Sequence, residues 1–152
     1  MTRQVTPRTE LPSTRRSLPI ALIRAREAVM HPIREMLAGT GLTEQQWRIL
    51  RVLDEFGPLE ATQLAGRAGL MAPSLTRIVH AMVGEKLLTR RVSQSDRRRQ
   101  VISITARGTS ILRENQKEAA EIAQGYRERL GNEDYEQLLT LLAQLADPQN
   151  PD

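Results

Sequence analysis

The run from Leu87 to Ile104 constrains the fold of this chain more than any other segment. Two short β-patterned stretches in it flank a polar turn that contains Asp96 and three consecutive arginines. Such a pattern predicts an antiparallel hairpin. From Arg90 to Arg99 there are five arginines and one acidic residue, a net charge of +4 that equals the formal net charge of the whole chain. Positive charge concentrated on one projecting element is typical of proteins that contact a phosphate backbone.

Three short helical patterns precede this hairpin. In the first, Thr43 is predicted to be the N-cap, Gln46 completes a capping box, and the helix ends before Gly57. A second helix is predicted from about Thr62 to Ala68, and a third begins near Ala72. Helices in this order, followed by a hairpin, predict a winged helix-turn-helix. The expected fold class is therefore mainly α with a small β-hairpin wing.

Apolar residues at helical spacing continue on both sides of this region. A helix is predicted from Leu18, and Pro32 should kink or interrupt it. After the hairpin, Thr105 is expected to cap a long helix that runs to about Leu130. Asn132 is expected to cap a final helix. The outer helices carry apolar stripes that a winged-helix core of this size is too small to cover.

The composition excludes several classes of protein. The chain has no cysteine, which excludes disulfides, thiolate catalysis and cysteine-ligated zinc. Its two histidines, His31 and His80, lie on different predicted elements, so we expect no enzyme, no metal site and no cofactor. No apolar run approaches the roughly 20 residues that cross a bilayer, and residues 1–17 lack the apolar stretch of a secretory signal. The expected location is cytoplasmic, without a membrane partner.

The third helix has two chemically different faces. Its apolar stripe, which is expected to face the interior, consists of Leu75, Ile78, Val79 and Met82. The opposite side is predicted to bind DNA and carries Pro73, Ser74, Thr76, Arg77 and His80. Hydroxyl, guanidinium and imidazole groups suit phosphates and base edges in the major groove. Taken alone, such a face is equally typical of a solvated amphipathic helix, and the basic hairpin that follows favours DNA.

The arginine-rich turn is predicted to have separable parts. Arg98 is the expected minor-groove residue, because an arginine inserted there senses groove width and negative potential. Asp96 is expected to orient an arginine, since a carboxylate facing phosphates is repelled by them. Arg97 and Arg99 are predicted to contact phosphates. The alternative is a surface hairpin that happens to be basic, and the repulsion among adjacent arginines argues against it.

Several motifs resemble those of one known family. The segment S-Q-S-D-R-R-R-Q-V-I-S-I-T-A-R-G resembles the wing motif of the MarR family, in which D-x-R is followed by a strand and by L-T-x-x-G, with Ile104 here in place of the leucine. The segments G-P-L-E-A-T-Q-L-A and A-P-S-L-T-R-I-V look like the same family. The segments G-L-T-E-Q-Q-W-R-I-L-R and L-P-I-A-L-I-R-A-R-E are similar to the branch that represses homoprotocatechuate degradation operons. The family resemblance extends from Leu18 to Ala146.

This resemblance implies a ligand-responsive transcriptional regulator that binds a pseudo-palindromic, double-stranded DNA operator as a homodimer. The implied organisation is a flexible basic arm at 1–17, an N-terminal dimerisation helix at 18–41, a winged helix-turn-helix DNA-binding domain at 42–104 and C-terminal dimerisation helices at 105–147. For the apolar stripes of the outer helices, an intramolecular helical hairpin is the alternative to a dimer. For the function, the alternative is a winged-helix protein-interaction module without direct DNA binding.

The branch resemblance also implies a small aromatic acid as effector and a role in aromatic acid catabolism. An arginine fork suits a carboxylate because it donates two parallel hydrogen bonds. The candidates for the carboxylate are Arg15, Arg16, Arg24 and Arg26, and the candidates for the ring are His31 and Trp47. Each has a structural alternative: Trp47 lies at helical spacing with Leu50 and fits a core position, while the arginines and His31 fit a solvated helix surface.

Overall fold

A computed structural model describes residues 10–147, so residues 1–9 of the predicted basic arm lie outside the described part. The described residues up to Pro32 form one compact unit, and those from Ile33 onward form another. A short 3-10 helix spans Thr14–Arg16. The helices are α1 (Leu18–Leu37), α2 (Glu44–Phe56), α3 (Ala61–Ala68), α4 (Ala72–Gly84), α5 (Ala106–Leu130) and α6 (Asn132–Ala146). The strands are β1 (Leu59–Glu60), β2 (Leu88–Val92) and β3 (Gln100–Ile104).

The predicted helix starts at Thr43 and Thr105 are confirmed. The backbone N–H of Gln46 donates to the Thr43 hydroxyl at 3.2 Å, and that of Thr43 donates to the Gln46 side-chain oxygen at 3.1 Å. The Thr105 hydroxyl accepts from the backbone N–H of Gly108 at 3.2 Å. Each bond satisfies a backbone donor that the first helical turn would leave without an intrahelical partner.

Two local predictions need correction. Pro32 lies inside α1, which is helical on both sides of it, so the predicted interruption is wrong and a kink there stays a prediction. Asn132 does not cap α6, since it is already the first helical residue. Gly131, with φ at +82°, is the N-cap and also ends α5, so one residue joins both helices without a side-chain cap. A positive φ of this kind is accessible to glycine at little cost.

The sheet has three antiparallel strands in the order β1-β3-β2, one more than the predicted hairpin. In β1, Leu59 lies opposite Ile102 and Glu60 lies opposite Val101. Two residues just before α3 have no strand pattern of their own, and they become a strand only by pairing with β3. The sheet therefore connects the start of the helix-turn-helix to the wing, by which we mean β2, β3 and the turn between them.

The core lies between α2, α3, α4 and the sheet. Its fully buried side chains are Ile49, Leu50, Leu53, Leu64, Leu75, Val79, Met82, Leu87, Leu88 and Ile102. The first turn of α5 packs closely on this core at Gly108. A Cβ atom at that position would lie 2.8 Å from the Leu87 carbonyl oxygen and 2.8 Å from Cγ1 of Ile104. The glycine of the T-x-x-G motif is thus required by close packing of the helix against the wing.

Candidate nucleic-acid interface and effector cleft

Helix α4 presents one buried face and one exposed face, as its periodicity predicts. Leu75, Val79 and Met82 are buried, and Ile78 is half-buried. Of the residues predicted to bind DNA, Ser74 is half-buried, and those that are exposed are Pro73, Thr76, Arg77 and His80. The helix therefore offers a hydroxyl, a guanidinium and an imidazole on its free side. These groups match the donors and acceptors on phosphates and base edges.

The turn before α4 and the first turn of that helix are well defined. Gly69 ends α3 in the left-handed conformation with φ at +64°, and the backbone N–H of Leu70 donates to the Ala65 carbonyl at 2.9 Å. In α4, the Thr76 hydroxyl donates to the Ala72 carbonyl at 3.0 Å. Because its hydrogen is used in this bond, Thr76 has acceptor lone pairs left for a donor on a partner.

The turn of the wing is closed by Asp96. Its side-chain oxygen accepts from the backbone N–H of Arg98 at 3.0 Å, and its carbonyl accepts from that of Arg99 at 3.0 Å. The backbone N–H of Ser93 donates to the Arg99 carbonyl at 2.8 Å. An aspartate that bonds the backbone two residues onward shapes a tight turn. The carboxylate thus holds the backbone that carries Arg98, and the side chains of Arg97, Arg98 and Arg99 are exposed.

Arg99 has an acidic neighbour that the sequence did not predict. Its Nε lies 3.7 Å from Oε1 of Glu60, and both side chains are partly exposed. Glu60 belongs to β1, so the ion pair joins the edge of the wing turn to the strand before α3. The sequence separates the two residues by two helices, and the pairing of β1 with β3 brings them together. An exposed pair of this length contributes little stability but restrains a long side chain.

The base of the wing is tied to α5 through Thr105. Its hydroxyl lies 2.8 Å from the Lys86 carbonyl and 3.0 Å from the Leu87 carbonyl, and its backbone N–H donates to the Leu87 carbonyl at 3.1 Å. The same hydroxyl caps α5. One threonine therefore links the entry to β2 with the start of the long helix.

A cleft of about 150 Å³ lies between α2 and α5. Its lining residues from α2 are Trp47, Arg51 and Asp54, and those from α5 are Leu112, Arg113, Gln116 and Ala119. Trp47 is 7% exposed, so it belongs to the core, as the structural alternative held, and it also lines the cleft. A cavity of roughly this volume holds one benzene-sized ring.

Sequence reasoning missed Arg51 and Arg113 as lining residues of this cleft. A signal for Arg51 was present, because it lies four residues after Trp47 and so on the same side of α2. Arg113 had no such signal, since α5 reaches α2 only in the folded chain. The predicted effector residues Arg16, Arg24 and His31 are exposed in the first compact unit, and their role stays a prediction.

Residues 10–147 contain no group of three or more histidine, cysteine or acidic side chains that could hold a metal ion. In the same part of the chain, no helix combines the length and apolar character that a membrane span needs.

Comparisons with known proteins identify the family. The family model described as "MarR family" matches residues 42–99, which include the helix-turn-helix and most of the wing. The HTH-type transcriptional regulator FarR of Neisseria gonorrhoeae is 38% identical over 130 residues, which cover 86% of this chain and 89% of that protein. The homoprotocatechuate degradative operon repressor of Escherichia coli is 37% identical over 126 residues, covering 83% of this chain and 85% of that protein.

Solved structures agree with this comparison. NadR in complex with 4-hydroxyphenylacetate is 38% identical with a TM-score of 0.78, covering 91% of this chain and 98% of that one. The repressor CouR bound to a 23-mer DNA duplex is 28% identical with a TM-score of 0.77, covering 90% of this chain and 99% of that one.

The fold, with α3 and α4 in helix-turn-helix order and an arginine-tipped wing after them, defines a winged helix-turn-helix protein. The chain belongs to the MarR family of transcriptional regulators. These named relatives are regulators and not enzymes.

Proposed function

We propose that this protein represses transcription by binding a pseudo-palindromic operator as a homodimer and that a small aromatic acid releases it from DNA. The observation that carries this proposal is the exposure of complementary groups on α4 and on the wing turn. Pro73, Thr76, Arg77 and His80 form the major-groove surface together with the flanking Ser74. Arg98 enters the minor groove, Arg97 and Arg99 contact phosphates, and Asp96 holds the turn.

DNA binding is tested with Arg98→Ala. We expect this change to weaken binding to the DNA that flanks the protein's own gene by roughly 1–3 kcal/mol and to lower the dependence on salt, because a cation that displaces counterions is lost. Fluorescence anisotropy across a salt series measures both effects. Arg129→Ala, an exposed arginine near the end of α5, is the matched control and should bind as the unchanged protein does. Equal salt slopes for all three proteins would refute the wing assignment, and no DNA binding at all would favour the protein-interaction alternative.

The homodimer is supported by the leucines of α6. Their exposed fractions are 41% at Leu138, 46% at Leu139, 53% at Leu141, 37% at Leu142 and 49% at Leu145. An exposed apolar surface on one helix is typical of an interface. In the first unit, helix α1 likewise exposes Leu18, Ile20, Leu22 and Ile23. A second copy of the chain that covers these faces would also supply the second half-site reader of a palindrome.

The dimer is tested by sedimentation. The double change Leu138→Asp and Leu142→Asp places two charges one helical turn apart on α6, and we expect a monomer. Gln144→Asp adds a charge at an exposed polar position of the same helix and should remain a dimer. A monomer in the unchanged protein, or a dimer in the double variant, would contradict an interface at α6.

The effector site is proposed to be the cleft between α2 and α5. Trp47, Leu112 and Ala119 offer apolar contacts for an aromatic ring, and Arg51 or Arg113 offers a fork for a carboxylate. The 4-hydroxyphenylacetate in the NadR complex, and the name of the Escherichia coli repressor, support an aromatic acid and a role in aromatic catabolism. Arg16, Arg24 and His31 remain proposed as further effector-binding residues.

The effector is tested by the fluorescence of Trp47, the single tryptophan of the chain. We expect 4-hydroxyphenylacetate to change this fluorescence and to weaken DNA binding. Arg51→Gln should weaken binding of the effector by about 1.5–3 kcal/mol, because it removes a hydrogen bond to a charged group. DNA binding without effector should be unchanged. Arg107→Gln, on the first turn of α5, is the control. An unchanged titration in Arg51→Gln would exclude this arginine, and the same titration of Arg16, Arg24 and His31 variants tests each in turn.

A further inference from the structure

Met71 is unusually exposed for a large apolar side chain. It is 78% exposed, and among the large hydrophobic residues in the described part of the chain only Leu11, at 94%, is more so. It immediately precedes α4, and the next two residues, Ala72 and Pro73, are also exposed. Three consecutive exposed nonpolar residues, from Met71 to Pro73, therefore form the start of α4, the recognition helix of the proposed DNA-binding unit.

Neither helix stability nor packing explains a methionine at this position. Met71 is the N-cap of α4, and its side chain makes no capping hydrogen bond. Serine, threonine, aspartate and asparagine are preferred at N-caps, and α2 and α5 use Thr43 and Thr105 there. The side chain is also outside the hydrophobic core. The exposed side chain is therefore free of any role in the fold that these contacts show, and it is accessible to a partner at the start of this helix.

We propose that Met71 contacts the C5-methyl group of a thymine in the major groove and makes operator preference depend on that methyl group, an inference that rests on the proposed DNA binding. Residues at the N-terminal end of a recognition helix reach base edges. On those edges, the thymine methyl is the apolar group that an aliphatic side chain recognises. The flexible thioether of methionine adapts to such a contact.

The neighbouring side chains favour DNA over a protein as the occupant of this surface. Thr76 and Arg77 follow Met71 by five and six residues on α4 and are exposed, as is His80. The exposed arginines of the wing turn belong to the same compact unit. A cationic surround attracts phosphates, whereas the apolar patch itself is only three residues long. Met71 is thus a specificity residue set within a phosphate-binding surface.

The test removes single methyl groups from DNA. Duplexes are first selected by the unchanged protein from a randomised library, and each thymine is then replaced by deoxyuridine, which lacks only the C5-methyl group. At one thymine in each half-site, we expect the replacement to raise Kd about fourfold per methyl contact. In Met71→Ala the same replacement should have no effect, and in Met71→Leu, which keeps an apolar side chain, the effect should persist. Circular dichroism and thermal unfolding verify that both variants are folded.

The outcomes separate this inference from the proposed function. If the unchanged protein selects no duplex, DNA binding is refuted and the role of Met71 with it. If duplexes are selected and deoxyuridine acts equally on the unchanged protein and on Met71→Ala at every thymine, the role of Met71 alone is refuted. A replacement that affects the unchanged protein and Met71→Leu but not Met71→Ala, at one thymine of each half-site, supports it.

Discussion

Large apolar side chains at helical spacing are buried in α2 and exposed in α6. In α2, Ile49 and Leu50 are 0% exposed and Leu53 is 1% exposed. In α6, by contrast, Leu141 is 53% exposed and Leu145 is 49% exposed. Helix α2 contacts α3, α4, α5 and β3, whereas α6 packs against α5. Periodicity therefore indicates that a helix has an apolar face, but the surrounding elements decide what covers it.

The difference separates stabilisation from assembly. Each apolar Å² removed from water contributes about 25 cal/mol, so the leucines of α2 stabilise the winged-helix core of the single chain. The leucines of α6 contribute this free energy only when another surface covers them. The core thus positions α4 and the wing, while the leucines of α6 stay exposed in the single chain, as the proposed dimer requires.

The largest expected effect comes from truncating one core leucine to alanine. Leu50→Ala truncates a fully buried core side chain of α2, and we expect a loss of about 2–5 kcal/mol in the free energy of unfolding, measured in urea. Leu141→Ala makes the same chemical change on α6 and should cost less at low protein concentration. Its cost should grow with concentration if a second copy covers α6. Equal losses of unfolding free energy for the two variants at every protein concentration would contradict the difference between α2 and α6.

A smaller effect, with opposite signs in one helix, is expected from two glycines of α5. Gly108→Ala places a Cβ 2.8 Å from the Leu87 carbonyl oxygen, which forces a shift of the backbone, so we expect a loss of about 1–3 kcal/mol. Gly125→Ala meets no atom within 4 Å and should gain about 0.5–1 kcal/mol through reduced chain entropy. Thermal unfolding measures both changes. A loss at Gly125 as large as that at Gly108 would mean that this part of α5 is covered as tightly as the core.

The smallest expected effect is a pH dependence at the junction of α5 and α6. Burial raises the pKa of Tyr126 above its ordinary value of 10.0, and the nearby Tyr135 raises it further. Above pH 10.0 the unfolded chain loses this proton while the folded chain keeps it. The stabilising contribution is therefore complete below that pH and is lost as the pH rises through the folded pKa.

The variant Tyr126→Phe tests this expectation. It should remove one component of the fall in unfolding free energy at high pH, while Tyr135→Phe should only reduce the shift. Urea unfolding at neutral and at alkaline pH measures the component, and absorbance titration of tyrosinate reports the pKa directly. An identical alkaline loss in the unchanged protein and in Tyr126→Phe would contradict the assignment.

Sequence reasoning succeeded where the deciding groups are close in the chain. The capping box of Thr43 and Gln46 needs residues only three positions apart, and the stripe of α4 repeats within two or three turns. It failed at Asn132, where a glycine with positive φ replaced a side-chain cap, and at β1, which exists only through its pairing with β3. The Asp96 carboxylate accepts from the backbone N–H of Arg98, two positions along the chain, and its role in orienting an arginine on DNA stays a prediction.

The sequence alone determined the caps, the turns, the helical stripes and the cluster of arginines, because each depends on residues only a few positions apart. Folding was needed to bring Glu60 to Arg99, Arg113 to Trp47 and Gly108 to the Leu87 carbonyl, because these contacts join elements far apart in the chain. The tertiary structure also decides that α2 is covered and α6 is not, because the core is built from other elements and α6 packs against α5.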